Sequence, residues 1–296
     1  MTKTLAGIVA AAFTLFAFAD TDKHLTTAEV MASLKPSDWR EPDTANLLYM
    51  QTRSGEIIIE LAPGFAPKHI ANIRTMVKER YFDGLAVIRS HDNYVAQWGD
   101  PNFEDADKAK SLGTAKTPLK AEIFQPLSDN NITPIESRDA YADHVGFSEG
   151  FPVGHDDTQL WMLHCYGTVG VGRGMDIDSG DGSSLYAVTG HAPRHLDKNL
   201  TVVGRVIWGM EHLSSLPRGT GNLGFYETAA EHEPLLSVRL GSELSDKDRT
   251  RLRVLRTDTP AFQRWVQSCR YRNHEFFHDP TGRIGIGNII PPVEKL

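Results

Sequence analysis

The chain has 296 residues, of which 40% are hydrophobic and 23% are charged, a composition typical of a globular protein. This length allows one large domain or two small ones. The formal net charge of −7 disfavours nucleic-acid binding, because proteins that bind nucleic acids usually carry a basic surface. We therefore expect a globular monomer without a nucleic-acid partner.

The first nineteen residues have the layout of a secretory signal peptide. Lys3 gives a positive start, an apolar run follows over residues 5–18, and Ala17-Phe18-Ala19 has the small-x-small form of a cleavage site. The apolar run is shorter than the roughly 20 residues that a membrane span needs. We predict cleavage after Ala19, a periplasmic or secreted protein, and no membrane span in the mature chain.

The two cysteines, Cys165 and Cys269, would be able to pair in such an oxidising compartment. The sequence does not fix the distance between their Cα atoms, so it leaves the pairing open. Two buried thiols are the interpretation that we favour.

Three stretches carry helix signals. Thr26 and Glu29 have the spacing of a capping box, and they precede a short apolar run. Pro67 stands where a helix begins, and apolar residues then recur at spacings of three and four. Thr259-Pro260 opens a third helix, whose apolar face of Phe262, Trp265, Val266 and Cys269 we expect to dock on the main domain.

Many short β-favouring runs separated by turn residues predict a mainly β protein built as a barrel or sandwich. The predicted strands are Leu47–Met50, Glu56–Leu61, Leu85–Gln97, Leu119–Phe124, Trp161–Leu163, Thr168–Val171, Leu185–Thr189, Leu200–Ile207 and Leu235–Leu240. Residues 101–160 are rich in Asp, Pro, Ser and Gly, and apart from Leu119–Phe124 they predict a long irregular segment.

One segment resembles the signature of the cyclophilin family. Tyr81-Phe82-Asp83-Gly84 leads into a strand that bears Arg89, an aromatic residue follows five positions later at Tyr94, and Gln97 comes three positions after that. Gly99-Asp100-Pro101 completes the match, with Trp98 in place of the family's first glycine. Similar segments surround it, namely Arg53–Leu61, Ala66–Asn72, Gly182–Tyr186 and His195–Met210.

The resemblance implies a closed eight-stranded antiparallel barrel capped by two helices. Together with the signal-peptide and helix patterns, it divides the chain into a signal peptide (1–19), a lead-in (20–45), a cyclophilin-like domain (46–241) with an insertion at about 101–160, and a C-terminal extension (242–296) that contains the docking helix. It also implies peptidyl-prolyl cis-trans isomerase activity on proline-containing polypeptides, without a cofactor or a metal, in the folding of exported proteins.

Arg89 is the predicted catalytic residue. Rotation of an X–Pro amide must overcome a barrier of about 18–20 kcal/mol, and it needs no covalent chemistry. A fixed guanidinium can donate to the amide nitrogen only when twisting frees the lone pair of that nitrogen, so it stabilises the transition state selectively. Gln97 is suited to bind a substrate carbonyl, and Tyr94, Val95 and Tyr186 are suited to form an apolar slot for the proline ring. The other substrate-binding residues that the resemblance implies are Gly172, Arg173, Ser184, His195, Leu196 and Leu200.

The sequence departs from the family at several of these positions. The Phe-His pair before the arginine is Val87-Ile88, Ser184 replaces a glutamine, His195 replaces a tryptophan and Leu200 replaces a histidine. These departures leave a second hypothesis open, in which the chain is a proline-peptide binding module or chaperone with little or no isomerase activity.

A third hypothesis comes from His274-Glu275-Phe276-Phe277-His278, which matches the HExxH pattern of zinc metallopeptidases. Asp279-Pro280 breaks a helix directly afterwards, and Glu294 is the only acidic residue nearby downstream. A catalytic zinc site needs three protein ligands on supporting elements. We therefore interpret the pattern as coincidental.

Overall fold

The computed structural model describes residues 24–129 and 131–296, so the predicted signal peptide lies outside the described residues. The helices are α1 (Thr27–Ala32), α2 (Pro67–Lys78), α3 (Glu211–Ser214) and α4 (Pro260–Tyr271). The strands are β1 (Trp39–Arg40), β2 (Leu47–Thr52), β3 (Glu56–Leu61), β4 (Ala86–Ser90), β5 (Val95–Gly99), β6 (Gln125–Pro126), β7 (Thr133–Pro134), β8 (His144–Ser148), β9 (Phe151–His155), β10 (Gln159–Met162), β11 (Thr168–Val171), β12 (Leu185–Val188), β13 (Val202–Trp208), β14 (Glu233–Leu240), β15 (Leu252–Leu255) and β16 (Val293–Lys295).

Eight of these strands close into an antiparallel barrel in the order β11-β12-β5-β4-β14-β2-β3-β13, and β13 pairs back onto β11. Alternate residues of β3 point into the barrel, where Ile57, Ile59 and Leu61 belong to one apolar core. Ile73 and Met76 of α2 and Leu213 of α3 join the same core. The predicted fold, a closed eight-stranded barrel with two capping helices, is confirmed.

The predicted strand over Leu85–Gln97 is in fact two strands, β4 and β5, joined by a tight turn. Asn93 has a φ of +51°, a left-handed conformation that asparagine adopts more readily than most residues. The turn reverses the chain, so Arg89 of β4 and Gln97 of β5 become direct partners across the hairpin. This turn therefore places the two residues of the predicted site side by side.

The prediction for residues 101–160 is wrong in two respects. Leu119–Phe124 forms no strand, and the segment carries most of a second sheet in the order β6-β10-β9-β8-β7. Pro152 lies within β9, and the preceding turn has left-handed conformations at Glu149 and Gly150. Proline inside a β-favouring run argues against a strand, which is why the sequence pattern did not indicate β9.

The lead-in, the insertion and the C-terminal extension share an apolar core outside the barrel. Trp39, Phe147, Trp161 and Phe262 all belong to this cluster, and each is at most 9% exposed. β1, β15 and β16 form a third sheet that joins the lead-in to the extension. The apolar face of α4 packs in this cluster, outside the barrel core, against residues that include those of the lead-in and the insertion.

Both cysteines are buried and unpaired, so the interpretation that they are two buried thiols is confirmed. They belong to the same apolar cluster as Phe262. Of the helices in the described parts of the chain, none is both long enough and apolar enough to cross a bilayer.

Candidate active site

A cavity of about 450 Å³ opens beside β4, β5 and β12, at the outer surface of the barrel. Ten of the eleven predicted site residues line it: Arg89, Tyr94, Val95, Gln97, Gly172, Arg173, Ser184, Tyr186, Leu196 and Leu200. They come from four strands or their ends and from the segment between β12 and β13. The barrel thus brings together residues that are more than a hundred positions apart in the sequence.

Arg89 is held by three hydrogen bonds. Its Nε donates to the carbonyl oxygen of Leu223 (2.7 Å), its Nη1 donates to Oε1 of Gln97 (3.1 Å), and its Nη2 lies 3.0 Å from Nδ1 of His91. A guanidinium has five N–H donors, so two have no partner among the described residues. Burial lowers the pKa of Arg89 from its ordinary value, but an arginine side chain remains charged in proteins. The site therefore presents a fixed cation with two free donors.

Two aromatic rings flank the Arg89 guanidinium. Its Cζ lies 5.5 Å from the ring centroid of Tyr94 and 5.2 Å from that of Phe225. These distances are within the range of cation–π attraction. The rings restrict the directions in which the guanidinium can turn, and they add apolar surface next to its charge.

The segment 219–226 supplies Phe225 and was not predicted to belong to the site. It runs beside β4. The Gly219 amide donates to the carbonyl oxygen of Ser90 and the Tyr226 amide to that of Ile88, each at a distance of 2.9 Å. Leu223, whose carbonyl holds Arg89, has a φ of +54°. Its contact with Arg89 spans 134 positions of the sequence, and the glycines of the segment were the only local signal.

Gln97 is fixed from both ends. Its Oε1 accepts from Arg89, and its Nε2 donates to Oγ of Ser184 over 3.0 Å. Nε2 carries a second hydrogen, which has no partner among the described residues. Ser184, which replaces the family's glutamine, thus orients Gln97 and leaves one of its N–H groups for a ligand carbonyl.

The apolar part of the cavity lies between Tyr94 and Tyr186. Val95 and Tyr186 are 2% and 4% exposed, and they pack with Val188, Tyr94 and Leu200 in one cluster. The predicted residue His195 does not line the cavity. It lies behind Tyr94 instead, with stacked rings whose centroids are 5.6 Å apart and with its Nε2 3.3 Å from the Tyr94 hydroxyl.

Gly172 and Arg173 form the opposite rim. The Gly172 amide donates to the carbonyl oxygen of Ser184, and Arg173 donates to the carbonyl oxygens of Asn199 and Gly174. The bonds to Ser184 and Asn199 tie the segment after β11 to the segments that precede β12 and β13. Arg173 thus shapes the rim through backbone contacts.

Eight lining residues were missed by the sequence analysis, namely Tyr81, Asp100, Phe103, Gly174, Ser179, Asp181, Ser183 and Phe225. Most come from irregular segments that carry no periodic pattern. Phe103 stands at the start of the insertion and is 59% exposed, so it offers apolar surface at the cavity mouth. The family signature next to these residues was the available signal for Asp100 and Ser183.

The HExxH pattern does not form a metal site in the described part of the chain. α4 ends at Tyr271, and Arg272 adopts a left-handed conformation that terminates it, so His274 and His278 do not lie on one helical face. Within residues 24–129 and 131–296, no group of three or more potential ligands is arranged to hold a metal ion.

An eight-stranded barrel with a fixed arginine beside an apolar cavity is the arrangement expected of a peptidyl-prolyl isomerase that acts without covalent chemistry. Comparison with protein families agrees, since residues 47–239 match the family model described as "Cyclophilin type peptidyl-prolyl cis-trans isomerase/CLD". The chain belongs to the cyclophilin-type peptidyl-prolyl cis-trans isomerase family.

Individual relatives support this assignment. A protein of Brucella suis biovar 1 (strain 1330), named as a probable peptidyl-prolyl cis-trans isomerase, is 26% identical over 179 residues, which are 60% of this chain and 74% of that protein. The peptidyl-prolyl cis-trans isomerase ppi1 of Schizosaccharomyces pombe is 44% identical over 52 residues, or 18% of this chain and 34% of that protein.

Among solved structures, the crystal structure of cyclophilin AquaCyp293 from Hirschia baltica is similar, with a TM-score of 0.68 and 25% identity. The match covers 92% of this chain and 98% of that one. Because the family model covers only residues 47–239, the structural likeness extends into the segments outside the barrel.

Proposed function

We propose that this chain is an exported isomerase that accelerates cis-trans rotation of X–Pro bonds in other exported proteins. The observation that carries the proposal is the Arg89 guanidinium, which is fixed by three hydrogen bonds on the wall of the cavity while two of its N–H donors have no partner in the described part of the chain. The export part of the proposal depends on the signal-peptide pattern of residues 1–19.

In the proposed mechanism the proline ring enters the slot between Tyr94 and Tyr186, and the free N–H of Gln97 binds a substrate carbonyl. As the amide twists, its nitrogen becomes pyramidal and gains an available lone pair. Arg89 donates a hydrogen bond to that lone pair, which the planar ground state does not offer. Since the donor is already oriented by Leu223 and Gln97, little reorganisation is needed at the transition state.

A protease-coupled assay on a short proline peptide tests the activity. We expect the wild-type chain to accelerate isomerisation and Arg89→Ala to lose about 10²- to 10³-fold of kcat/KM, as is typical when one transition-state donor is removed. Arg251→Ala is the matched control, because Arg251 is half exposed and pairs with Glu41 on the surface. A wild-type rate equal to the uncatalysed rate would refute the isomerase function, and an undiminished rate in Arg89→Ala would refute the role of this residue.

Export needs a separate experiment. The full chain is expressed in a Gram-negative bacterium, and the protein recovered from the periplasm is subjected to N-terminal sequencing. We expect the mature protein to begin at Asp20. Recovery of an uncleaved chain from the cytoplasm would contradict export and leave the isomerase function unaffected.

A further inference from the structure

A buried chain of hydrogen bonds connects the floor of the cavity to the insertion. The Tyr186 hydroxyl lies 2.8 Å from Nε2 of His164, and Nδ1 of that histidine lies 2.9 Å from Oδ1 of Asp197. Arg194 donates to Oδ2 of Asp197 over 2.7 Å and to both oxygens of Asp139 over 2.9 and 2.6 Å. The side chains of these ion pairs are well shielded from solvent. The side chain of His164 is 0% exposed, and that of Arg194 is the most exposed, at 12%.

The direction in which each hydrogen bond of this network is donated follows from its acceptors. An ionised carboxylate can only accept, so Nδ1 of His164 donates to Asp197, and in that tautomer Nε2 is the acceptor of the ring. The Tyr186 hydroxyl then donates to Nε2. Its hydrogen is directed away from the cavity, and burial raises the pKa of Tyr186 well above its ordinary value, so the hydroxyl stays protonated. The cavity floor is therefore formed by the apolar ring of this tyrosine.

The barrel leaves space for this hydroxyl. Gly170 of β11 is the direct partner of Tyr186 across the β11–β12 pair. A Cβ at position 170 would stand 2.3 Å from the tyrosine hydroxyl oxygen, which is a severe overlap. The same Cβ would stand 2.4 Å from Cζ of the ring, so Gly170 makes room for both the ring and its hydroxyl, and His164 accepts from that hydroxyl.

The other end of this hydrogen-bond network also reaches the cavity wall. Arg194 lies in the 3-10 helix Ala192–Leu196, whose last residue lines the cavity. Asp139 lies between β7 and β8 of the insertion, and both of its carboxylate oxygens accept hydrogen bonds from Arg194. Bidentate pairs of this kind fix orientation as well as distance. The insertion therefore holds the element that carries Leu196.

We propose that Asp139, Arg194, Asp197 and His164 are positioning residues that hold Tyr186 and Leu196, so that the insertion determines how tightly the cavity grips proline. This inference rests on the proposed function, in which the cavity takes a proline ring. A proline ring has no polar group, so an untethered hydroxyl on the floor would retain water in the slot and weaken binding.

The first test is a rescue experiment. In His164→Leu the Tyr186 hydroxyl loses its acceptor, and we expect KM for a proline peptide to rise about tenfold with kcat nearly unchanged. In the double variant His164→Leu/Tyr186→Phe no hydroxyl remains, and KM should be several-fold lower than in His164→Leu. A KM that stays equally high in the double variant, or an unchanged KM in His164→Leu, would overturn the proposal.

The second test changes Asp139, at the far end of the hydrogen-bond network, and leaves the residues of the barrel unchanged. We expect Asp139→Asn to raise KM about fivefold, because Arg194 loses its charged bidentate partner. Asp143→Asn is the matched control, since it makes the same change at an exposed residue of the same segment. Equal KM values in the two variants would overturn the link to the insertion.

The third readout does not depend on turnover. The ring signals of Tyr186, assigned in ¹³C spectra with Tyr186→Phe, should shift in Asp139→Asn and stay in place in Asp143→Asn. Unshifted signals in both variants would overturn the positioning chain even if the enzyme is active. Shifted signals in a wild-type chain that isomerises no peptide would support the positioning chain and contradict the proposed function alone.

Discussion

Nη1 of Arg89 donates a hydrogen bond to Oε1 of Gln97 over 3.1 Å, and the two residues are direct partners across the β4–β5 hairpin. The register between these strands shifts between Val87 and Arg89. The position of Arg89 therefore depends on this irregularity in the strand pairing as well as on the turn at Asn93. The geometry of the proposed catalytic pair is thus a property of one hairpin. The loop that holds the other edge of Arg89 comes from a distant part of the chain.

That loop leads to the first prediction. Gly224 has a φ of +78°, and a Cβ there would lie 2.7 Å from Cα of His91. Gly224→Ala should therefore push segment 219–226 away from β4, remove the Leu223 carbonyl from Arg89, and lower kcat/KM about tenfold or more. Steady-state kinetics on a proline peptide measures this.

The control for this variant is Gly84→Ala. Gly84 also has a φ of +78°, but a Cβ there would meet nothing within 4 Å. Both variants carry the same left-handed strain, of the order of 1 kcal/mol, and only the Gly224 variant has the steric clash. Similar kinetics in the two variants would show that the loop does not position Arg89.

The second prediction concerns stability. Glu60, 5% exposed, accepts hydrogen bonds from two nitrogens of Arg40, and its Oε2 lies 3.9 Å from Nε of buried Arg205. Burial lowers the pKa of Arg205 to about 10, which leaves it charged at neutral pH. Glu60→Gln leaves two guanidinium groups without a carboxylate, and we expect the free energy of unfolding to fall by about 3 kcal/mol.

Urea unfolding measures this loss, and Glu41→Gln is its control. Glu41 pairs with Arg251 on the surface, where both side chains are more than half exposed. Exposed pairs of this kind contribute about 0–1 kcal/mol. Equal losses in the two glutamine variants would refute the assignment of Glu60 as a structural counter-ion.

The third prediction is a pH dependence of stability. Burial alone would raise the pKa of Asp139, but its hydrogen bonds, chiefly from Arg194, lower it below the ordinary value. A carboxylate with a lowered folded-state pKa stabilises the fold above its unfolded pKa of about 3.9, and this contribution disappears as the pH falls through the folded-state value. We expect Asp139→Asn to be about 2 kcal/mol less stable than wild type at pH 7.

Thermal unfolding of both proteins between pH 3 and 7 tests this sign. The difference in Tm should be constant from pH 7 down to about pH 5 and should shrink below about pH 4. A difference that grows toward acidic pH would contradict the direction assigned to the Asp139 pKa.

The fourth prediction concerns the thiols. Burial raises the pKa of Cys165 to about 12 and also raises the pKa of Cys269. Because the thiolate is the reactive form, neither should react with a disulfide reagent in the native protein at pH 8. Both should react after unfolding without a reductant. Rapid labelling of the native chain, or no labelling after unfolding, would contradict two buried free thiols.

The sequence predicted the parts of the molecule that depend on local periodicity or on a contiguous signature. The β-favouring runs of β2 and β3, the apolar face of α2 and the apolar face of α4 each follow from residues within a dozen positions. The family signature named Arg89 and Gln97 as site residues, but the sequence predicted one strand through both, and the turn between them is what pairs them.

The rest depends on contacts between distant segments. No sequence pattern singles out His164, because its partners Tyr186 and Asp197 lie 22 and 33 positions away. Leu223 reaches Arg89 over 134 positions. The strands of the insertion were hidden for another reason, since Pro152 and the glycines of β8 and β9 obscure their alternation.

The most direct test of the central claim is exchange spectroscopy by NMR on a proline peptide with resolved cis and trans signals, because it separates turnover from binding. Catalytic amounts of the wild-type chain should produce cis-trans exchange on the timescale of seconds or faster, and Arg89→Ala should still shift the peptide signals while exchange slows about 10²-fold or more. Peptide signals that shift with the wild-type chain without any exchange would contradict the account and identify a proline-peptide binding module instead.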